Sequence, residues 1–370
     1  MRTLDRYLLR SFLFSYVASL FVLVSLYVVL DLFLNLDEFT ESPDKGVWQV
    51  VADIADYYFF NLPMYFSQLA GVITLFAACL TLARMQRANE MTAVLASGTS
   101  LYRLAAPIVF AGLVMNGLVV ANQELLLPKV AAKLARSRVD VEGRVAAELW
   151  FIKDGSNLIS AQRFQPSPGW MRKMYVMELD SADGRGGRLR SVIEAYQAEW
   201  DAQQRGWRLI DGRRHSVAAD QSRLETTRVD FYASELSPAD LVLRKIAAWN
   251  RFLSTAQLNQ LVARGDVRAD AINHLRHSRF TLPIHNMILL LLGMAFFLNR
   301  LPESVLTQGA KALATCAVSF LVAFAGQNLV GAITGAYAGS LPDWVSVLPT
   351  WVPIFLFGPL AVVLLDNVKT

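Results

Sequence analysis

Three groups of residues have types and spacings that chemistry uses. His274 and His277 stand at i and i+3, a spacing that puts two imidazoles on one helix face within reach of a shared metal, although no third ligand follows nearby. The other reading is a solvated or interfacial helix face. His285 sits just inside an apolar run, where an ionisable group is a functional candidate, or an interfacial residue with a hydrogen-bond partner. Asp31, Asp37 and Glu38, with Asn35 among them, follow another apolar run. Acids there suit acid–base work, a path for a polar headgroup, or only the point where the run meets water. The third group is "RMQRANEMTAVLASGTS", residues 84 to 100, where Arg87 and Glu90 precede a small apolar patch closed by Gly98. The chain has no G-x-x-x-x-G-K-[ST], H-E-x-x-H, C-x-x-C or G-x-S-x-G. A transport process driven by ATP would therefore take its nucleotide site from another chain.

The elements that must carry these residues are set by hydropathy. Of 370 residues, 54% are hydrophobic and 18% charged, too apolar for a soluble domain, and the apolar residues are bunched. Charge-free runs of about 20 residues or more, enough to cross a bilayer, occur from Ser11 to Leu30, Tyr57 to Leu82, Leu104 to Gln123, Phe280 to Asn299, Ala312 to Pro342 and Trp344 to Leu365. Six membrane helices are expected, the fifth run including a loop near "GAYAGSLPDW". The first run follows Arg2, Arg6 and Arg10 like a signal sequence, but its length and the lack of a small-x-small site predict a retained anchor. With both termini in the cytoplasm, nine Lys and Arg residues fall in internal flanks (Arg2, Arg6, Arg10, Arg84, Arg87, Arg103, Arg300, Lys311, Lys369) and only Lys45 in a short external loop. Residues 84 to 100 are then cytoplasmic. Cys79 and Cys316 fall inside expected spans, which argues for small buried side chains and against a disulfide.

Between Glu124 and Arg279 the composition becomes that of a soluble domain. "LWFIKDGSNLISAQRF" reads as a hairpin about Lys153–Ser156, and "MYVMEL", "LRSVIEAYQAEW", "WRLIDGRRHSV" and "RLETTRVDFYASEL" follow with Gly- and Asp-containing breaks. Short strands at that spacing predict an antiparallel β-sandwich or jellyroll, inserted between membrane helices three and four. The expected fold class is thus a membrane α-helical bundle of six helices with an external antiparallel β domain, inserted between helices three and four. Its expected layout is helices one to three over 1–126, with a cytoplasmic helix at about 84–98. A helical stalk over 127–147, the β domain over 148–246, helices leading back over 247–279 and helices four to six over 280–370 follow. Ser254 and Gln257 have capping-box spacing, with Gly265 suited to the stop.

Span five holds Gly331, Gly335 and Gly339 at G-x-x-x-G spacing, with Gly326, Ala332 and Ala336, a face for close helix approach to another chain or within this one. Gln327 and Asn328 put two amides in the same span, costly unless bonded or lining a wet cavity. In the cytoplasmic stretch, Ala93 and Val94 lie at i+3 and i+4 from Glu90, so an acid and an apolar patch share one face. That composition fits a docking helix, or an interfacial helix with Glu90 paired to Arg87; the residues alone favour neither.

"LDRYLLRSF", "FVLVSL", "RANEMTAVLASGTS", "LWFIKDGSNLISAQRF" and "RFTLPIHNMI", in this order and spacing, resemble the LptF/LptG (YjgP/YjgQ) permeases of lipopolysaccharide export over essentially the whole chain, and the hairpin is closer to LptG. The resemblance implies a six-span permease paired with a second LptF/LptG-type permease on an LptB-like ATPase dimer. Such a pair extracts lipopolysaccharide from the inner membrane and passes it to periplasmic jellyroll proteins of LptC and LptA type. ATP and Mg are bound by the ATPase and no cofactor by this chain. It further implies a coupling helix whose glutamate seats in the ATPase, matched here by Glu90 with Arg87, Met91, Val94, Leu95 and Gly98 around it. Spans one and five would gate a lipid cavity, making Tyr27, Asp31, Leu34, Gln327 and Asn328 candidates for its lining and Gly331, Gly335 and Gly339 for packing. Where LptG-type chains tend to carry a basic residue near the external end of span one, this chain has Asp31. Two other classes stay open: a membrane enzyme acting on lipid-linked sugars through Asp31, Asp37, Glu38 and His285, and a structural anchor for the β domain.

Overall fold

The computed structural model describes residues 3–40, 46–134, 147–180, 188–217, 224–245, 252–263, 269–298, 304–336 and 343–366. They form two compact units, one of Met1–Phe33, Leu62–Leu126 and Ala269–Thr370, the other of Leu34–Asn61 and Leu127–Arg268.

Six helices are long and apolar enough to cross a bilayer. They are α1 (Thr3–Leu34), α3 (Val47–Arg87), α5 (Leu101–Ala121), α9 (Ala269–Phe297), α10 (Val305–Ala336) and α11 (Asp343–Asp366), and every predicted run falls on one of them within the described residues, the expected loop at 337–342 lying outside those residues. The short helices α2 (Leu36–Thr40) and α4 (Glu90–Ala96) lie between them. One boundary differs from the sequence reading. Helix α3 begins ten residues before Tyr57, because Asp53 and Asp56 interrupt the apolar run without stopping the helix, and Asp53 is buried. Helix α5 passes through a π-helical turn, Asn122–Leu126, into α6 (Leu127–Leu134).

Helices in lipid gain little by burying apolar surface against one another, so close approach and internal hydrogen bonds must hold them. Both devices are present where α3, α5 and α9 meet. A β-carbon at Gly293 would run into Leu75, one at Gly112 into Leu290 and one at Gly71 into Asn286. The Asn286 amide donates to Asn116 Oδ1 at 3.1 Å, while Asn116 donates to the Gly112 carbonyl at 3.1 Å. Around these contacts a core of Leu8, Phe12, Ile73, Leu82, Ile108 and Met294 is closed to solvent. Helix α11 packs as closely on α10: a β-carbon at Gly326 would lie 2.7 Å from the Pro349 carbonyl oxygen.

The second unit contains the antiparallel β domain inserted between the third and fourth membrane helices. Its strands are β1 (Ala147–Asp154), β2 (Asn157–Gln165), β3 (Trp170–Asp180), β4 (Arg188–Asp201), β5 (Gly206–Ile210), β6 (Arg213–Val217), β7 (Leu224–Arg228) and β8 (Phe231–Ala233). The predicted hairpin is β1–β2, with Asp154 opposite Asn157 and Gly155 in the left-handed region at φ 60°. "WRLIDGRRHSV" divides into two strands where Asp211 takes φ 54°. The 14-residue β4 pairs with β5 through Gln197–Asp201 and with β6 through Ser191–Glu194, so the sheet divides into two arms along one strand. Strand β8 returns to β5 across the β6–β7 hairpin. Trp207 is fully buried at the centre of this core, edge-on to Phe164 at 6.5 Å and to Trp200 at 5.2 Å.

Helix α7 (Pro238–Lys245) seals the core with Leu241, and α8 (Thr255–Ala263) follows. The Ser254–Gln257 box forms as spaced: Gln257 Oε1 accepts from the Ser254 amide at 2.8 Å and Ser254 Oγ accepts from the Gln257 amide at 3.2 Å. Gly265, the expected stop, lies outside the described residues.

Candidate functional site

The stretch from 84 to 100 is not one helix. Helix α3 ends at Arg87, and Asn89, at φ 56°, turns the chain through the left-handed region before α4 begins at Glu90. Asparagine tolerates that conformation better than most residues because its short polar side chain bonds locally. Gly98 then takes φ 79°, free of the steric cost a β-carbon would bring, and Ser100 caps α5 by accepting from the Arg103 amide. Two left-handed residues thus isolate a helix of seven residues.

Its faces are unequal. Met91 is 4% exposed and belongs to the bundle core, with Val94 and Leu95 packed on the same core. Those three anchor α4; the outward face consists of Thr92, Ala93 and Ala96, with Arg87 exposed at the preceding turn. A small flat face of this kind admits close approach by a partner. Gln86 fixes the turn from below, donating to the Phe297 carbonyl at 2.9 Å and so linking the end of α3 to the end of α9.

Glu90 does not pair with Arg87. Its carboxylate accepts from the Tyr7 hydroxyl, with Oε2 at 2.8 Å and Oε1 at 3.0 Å. Tyr7 lies on α1, so the acid at the head of α4 is held by the first membrane helix. Sequence reading missed Tyr7, although it stands inside the quoted "LDRYLLRSF".

Helix α1 is nearly bare. Its membrane window is 6% buried, the lowest of the six, and Phe21, Val22, Val29, Leu30 and Phe33 are exposed. Tyr27 is half-buried against Tyr65, with ring centroids 4.7 Å apart; Asp31 is half-buried and Leu34 is 75% exposed. Gln327, Asn328, Gly331 and Gly335 lie on α10, and Gly339 is outside the described residues.

Asp31 and His285 belong to one compact unit, Asp37 and Glu38 to the other. His285 is 7% exposed with neither ring nitrogen hydrogen-bonded. His277 Nδ1 accepts from the Trp351 indole at 3.4 Å. Among the described residues no group of three or more His, Cys, Asp or Glu side chains is placed to hold a metal. Sequence reading also missed the buried Arg279, which pairs with Glu124 of the π-turn at 2.8 Å; Asn122 beside it donates to Ser67 Oγ and to the Pro63 carbonyl.

No curated protein matches the chain. The model of the family described as "Lipopolysaccharide export system permease LptF/LptG" matches residues 6–367, nearly the whole length. Six apolar helices with a β domain inserted after the third, and a sequence matched from end to end, place the chain in the LptF/LptG family of lipopolysaccharide export permeases, multi-pass proteins of the inner membrane.

Proposed function

We propose that this chain is the non-hydrolysing membrane half of an ATP-driven exporter, and that α4 is the helix through which an LptB-like ATPase dimer moves it. The carrying observation is that one carboxylate, Glu90, stands at the head of a short helix with a small-residue outer face and is bonded directly to α1. In this reading the termini and α4 are cytoplasmic and the β domain is periplasmic. ATP and Mg sit in the partner.

Closure of the ATPase would displace α4. The displacement passes to α1 through Tyr7 and to α9 through Gln86, because each joins α4 or its preceding turn to a membrane helix by a directional hydrogen bond. Helix α1, packed by few neighbours and apolar on its free side, is the element with least to hold it in place. Its free side suits lipid acyl chains and a second LptF/LptG-type permease across a shared cavity, with Tyr27 and Asp31 at the rim where a headgroup would lie. The lipid, lipopolysaccharide or a similar glycolipid, then passes to the β domain. Among the described residues strand β1 stands at the edge of the sheet, paired with β2 and with Trp150 72% exposed, and such an edge accepts a further strand from an LptC- or LptA-like jellyroll.

Purification of the complex in mild detergent tests this reading. An ATPase should accompany the chain, and Glu90→Ala should release it or abolish ATP-driven lipid release while the chain remains folded. Retention of both by the Glu90→Ala variant overturns the coupling role.

A further inference from the structure

We propose that a cleft beside the docking helix binds an anionic phospholipid of the adjacent leaflet, headgroup on Arg84 and Arg87 and acyl chain along α3 and α10. The cleft has a volume of about 410 Å³ and lies within the membrane unit. Its α3 wall is one stripe, Phe76, Leu80 and Ala83 leading to Arg84 and Arg87. From Phe76 to Arg87 that stripe rises about 16 Å at about 1.5 Å per residue. Helix α10 supplies the facing wall with Val305, Gly309 and Leu313, one residue per turn, and Phe297 closes one side.

The chemistry changes along the cleft. One end is apolar throughout, and the other carries two exposed guanidiniums, so the ligand must be elongated, apolar at one end and anionic at the other. A free anion would leave the apolar walls uncovered, and an uncharged lipid would leave both guanidiniums without a counter-ion. Arg84 is held at the mouth by its stacking over the Phe14 ring, 5.4 Å from the centroid. Gly309 opens the facing wall: a β-carbon there would meet nothing within 4 Å. The space between the helices is therefore unfilled by side chains, and a chain of methylenes fits where a leucine side chain would.

Which leaflet supplies the lipid rests on the cytoplasmic placement of α4 proposed above; binding itself does not. Native mass spectrometry of the full-length chain in detergent, titrated with phosphatidylglycerol, phosphatidylcholine or inorganic phosphate, reads occupancy without ATPase or orientation. Phosphatidylglycerol should bind in preference to both. Arg84→Ala with Arg87→Ala should weaken it about 30-fold, as two basic residues at a lipid surface imply. Gly309→Leu should fill the cleft and displace the lipid with both arginines intact, whereas Gly117→Leu, on an equally open face of α5, should leave binding unchanged. Equal binding of phosphatidylcholine or of phosphate, or unaltered binding in the Gly309→Leu variant, overturns the proposal. The docking reading is judged separately, by ATPase association, so either can fail alone.

Discussion

The hydroxyl of Tyr7 lies 2.8 Å from one carboxylate oxygen of Glu90 and 3.0 Å from the other. That single side chain connects the first membrane helix to the start of α4 across 83 residues of sequence. Because the pair is exposed, it contributes little to stability, at most about 1 kcal/mol. Its consequence is geometric. Tyr7→Phe should leave thermal unfolding of the chain nearly unchanged while reducing lipid release per ATP in the assembled complex. If the coupling ratio is unaltered, the link is ornamental to transport.

The Asn116–Asn286 pair makes a different prediction, about bundle assembly. A hydrogen bond between membrane helices is worth about 1 kcal/mol or somewhat less. A double-mutant cycle with Asn116→Ala and Asn286→Ala, followed by unfolding in detergent, should return a coupling energy of about that size. A coupling indistinguishable from zero would show that Gly71 and Gly112 do the packing unaided.

The β domain should be most sensitive at Trp207. Truncation to alanine removes a fully buried indole and should cost about 3–5 kcal/mol. Its Nε1 is buried without a partner, so Trp207→Phe gives back an orphaned donor and should cost distinctly less than Trp207→Ala. Chemical denaturation followed by circular dichroism in the β region would rank the two variants.

Alkaline pH should act on Tyr232. Burial first, and then the neighbouring Asp154 carboxylate to which its hydroxyl donates at 3.1 Å, raise the phenol above its ordinary value of 10.0. A raised value means that the neutral phenol is favoured in the folded domain. Its stabilisation is complete below pH 10 and is lost as pH rises through the higher folded value. The melting temperature of the full chain should therefore fall above pH 10, and Tyr232→Phe should flatten that fall. A variant with the same alkaline slope as the parent would remove Tyr232 from the account.

Much of the architecture was legible because it depends on local composition. The bilayer requires long charge-free runs, and within the described residues all six fall on helices; the β domain follows alternating strands between Gly and Asp turns, so the break at Gly155 is visible in one dimension, whereas the one at Asp211 falls inside a run read as a single strand. The Ser254–Gln257 box formed because both partners lie within one turn. Glu90 was legible as an acid beside small residues. What the sequence could not supply was its partner: Arg87, at i−3, is the nearest opposite charge along the chain, but the left-handed Asn89 between them breaks the helix that would have aligned the two.

The chain's own pattern therefore determined the number of membrane helices, the place of the inserted domain and the position of the short polar stretch that carries α4, since each is set by hydropathy over a short window. Only the tertiary structure decided that Met91 turns inward, that Tyr7 takes Glu90, that Arg279 meets Glu124, and that Arg84 and Arg87 crown an open cleft beside Gly309. The physical reason is common to all four. Membrane helices pack through a few close contacts and directional hydrogen bonds between residues far apart in sequence, and hydropathy carries no record of which faces meet.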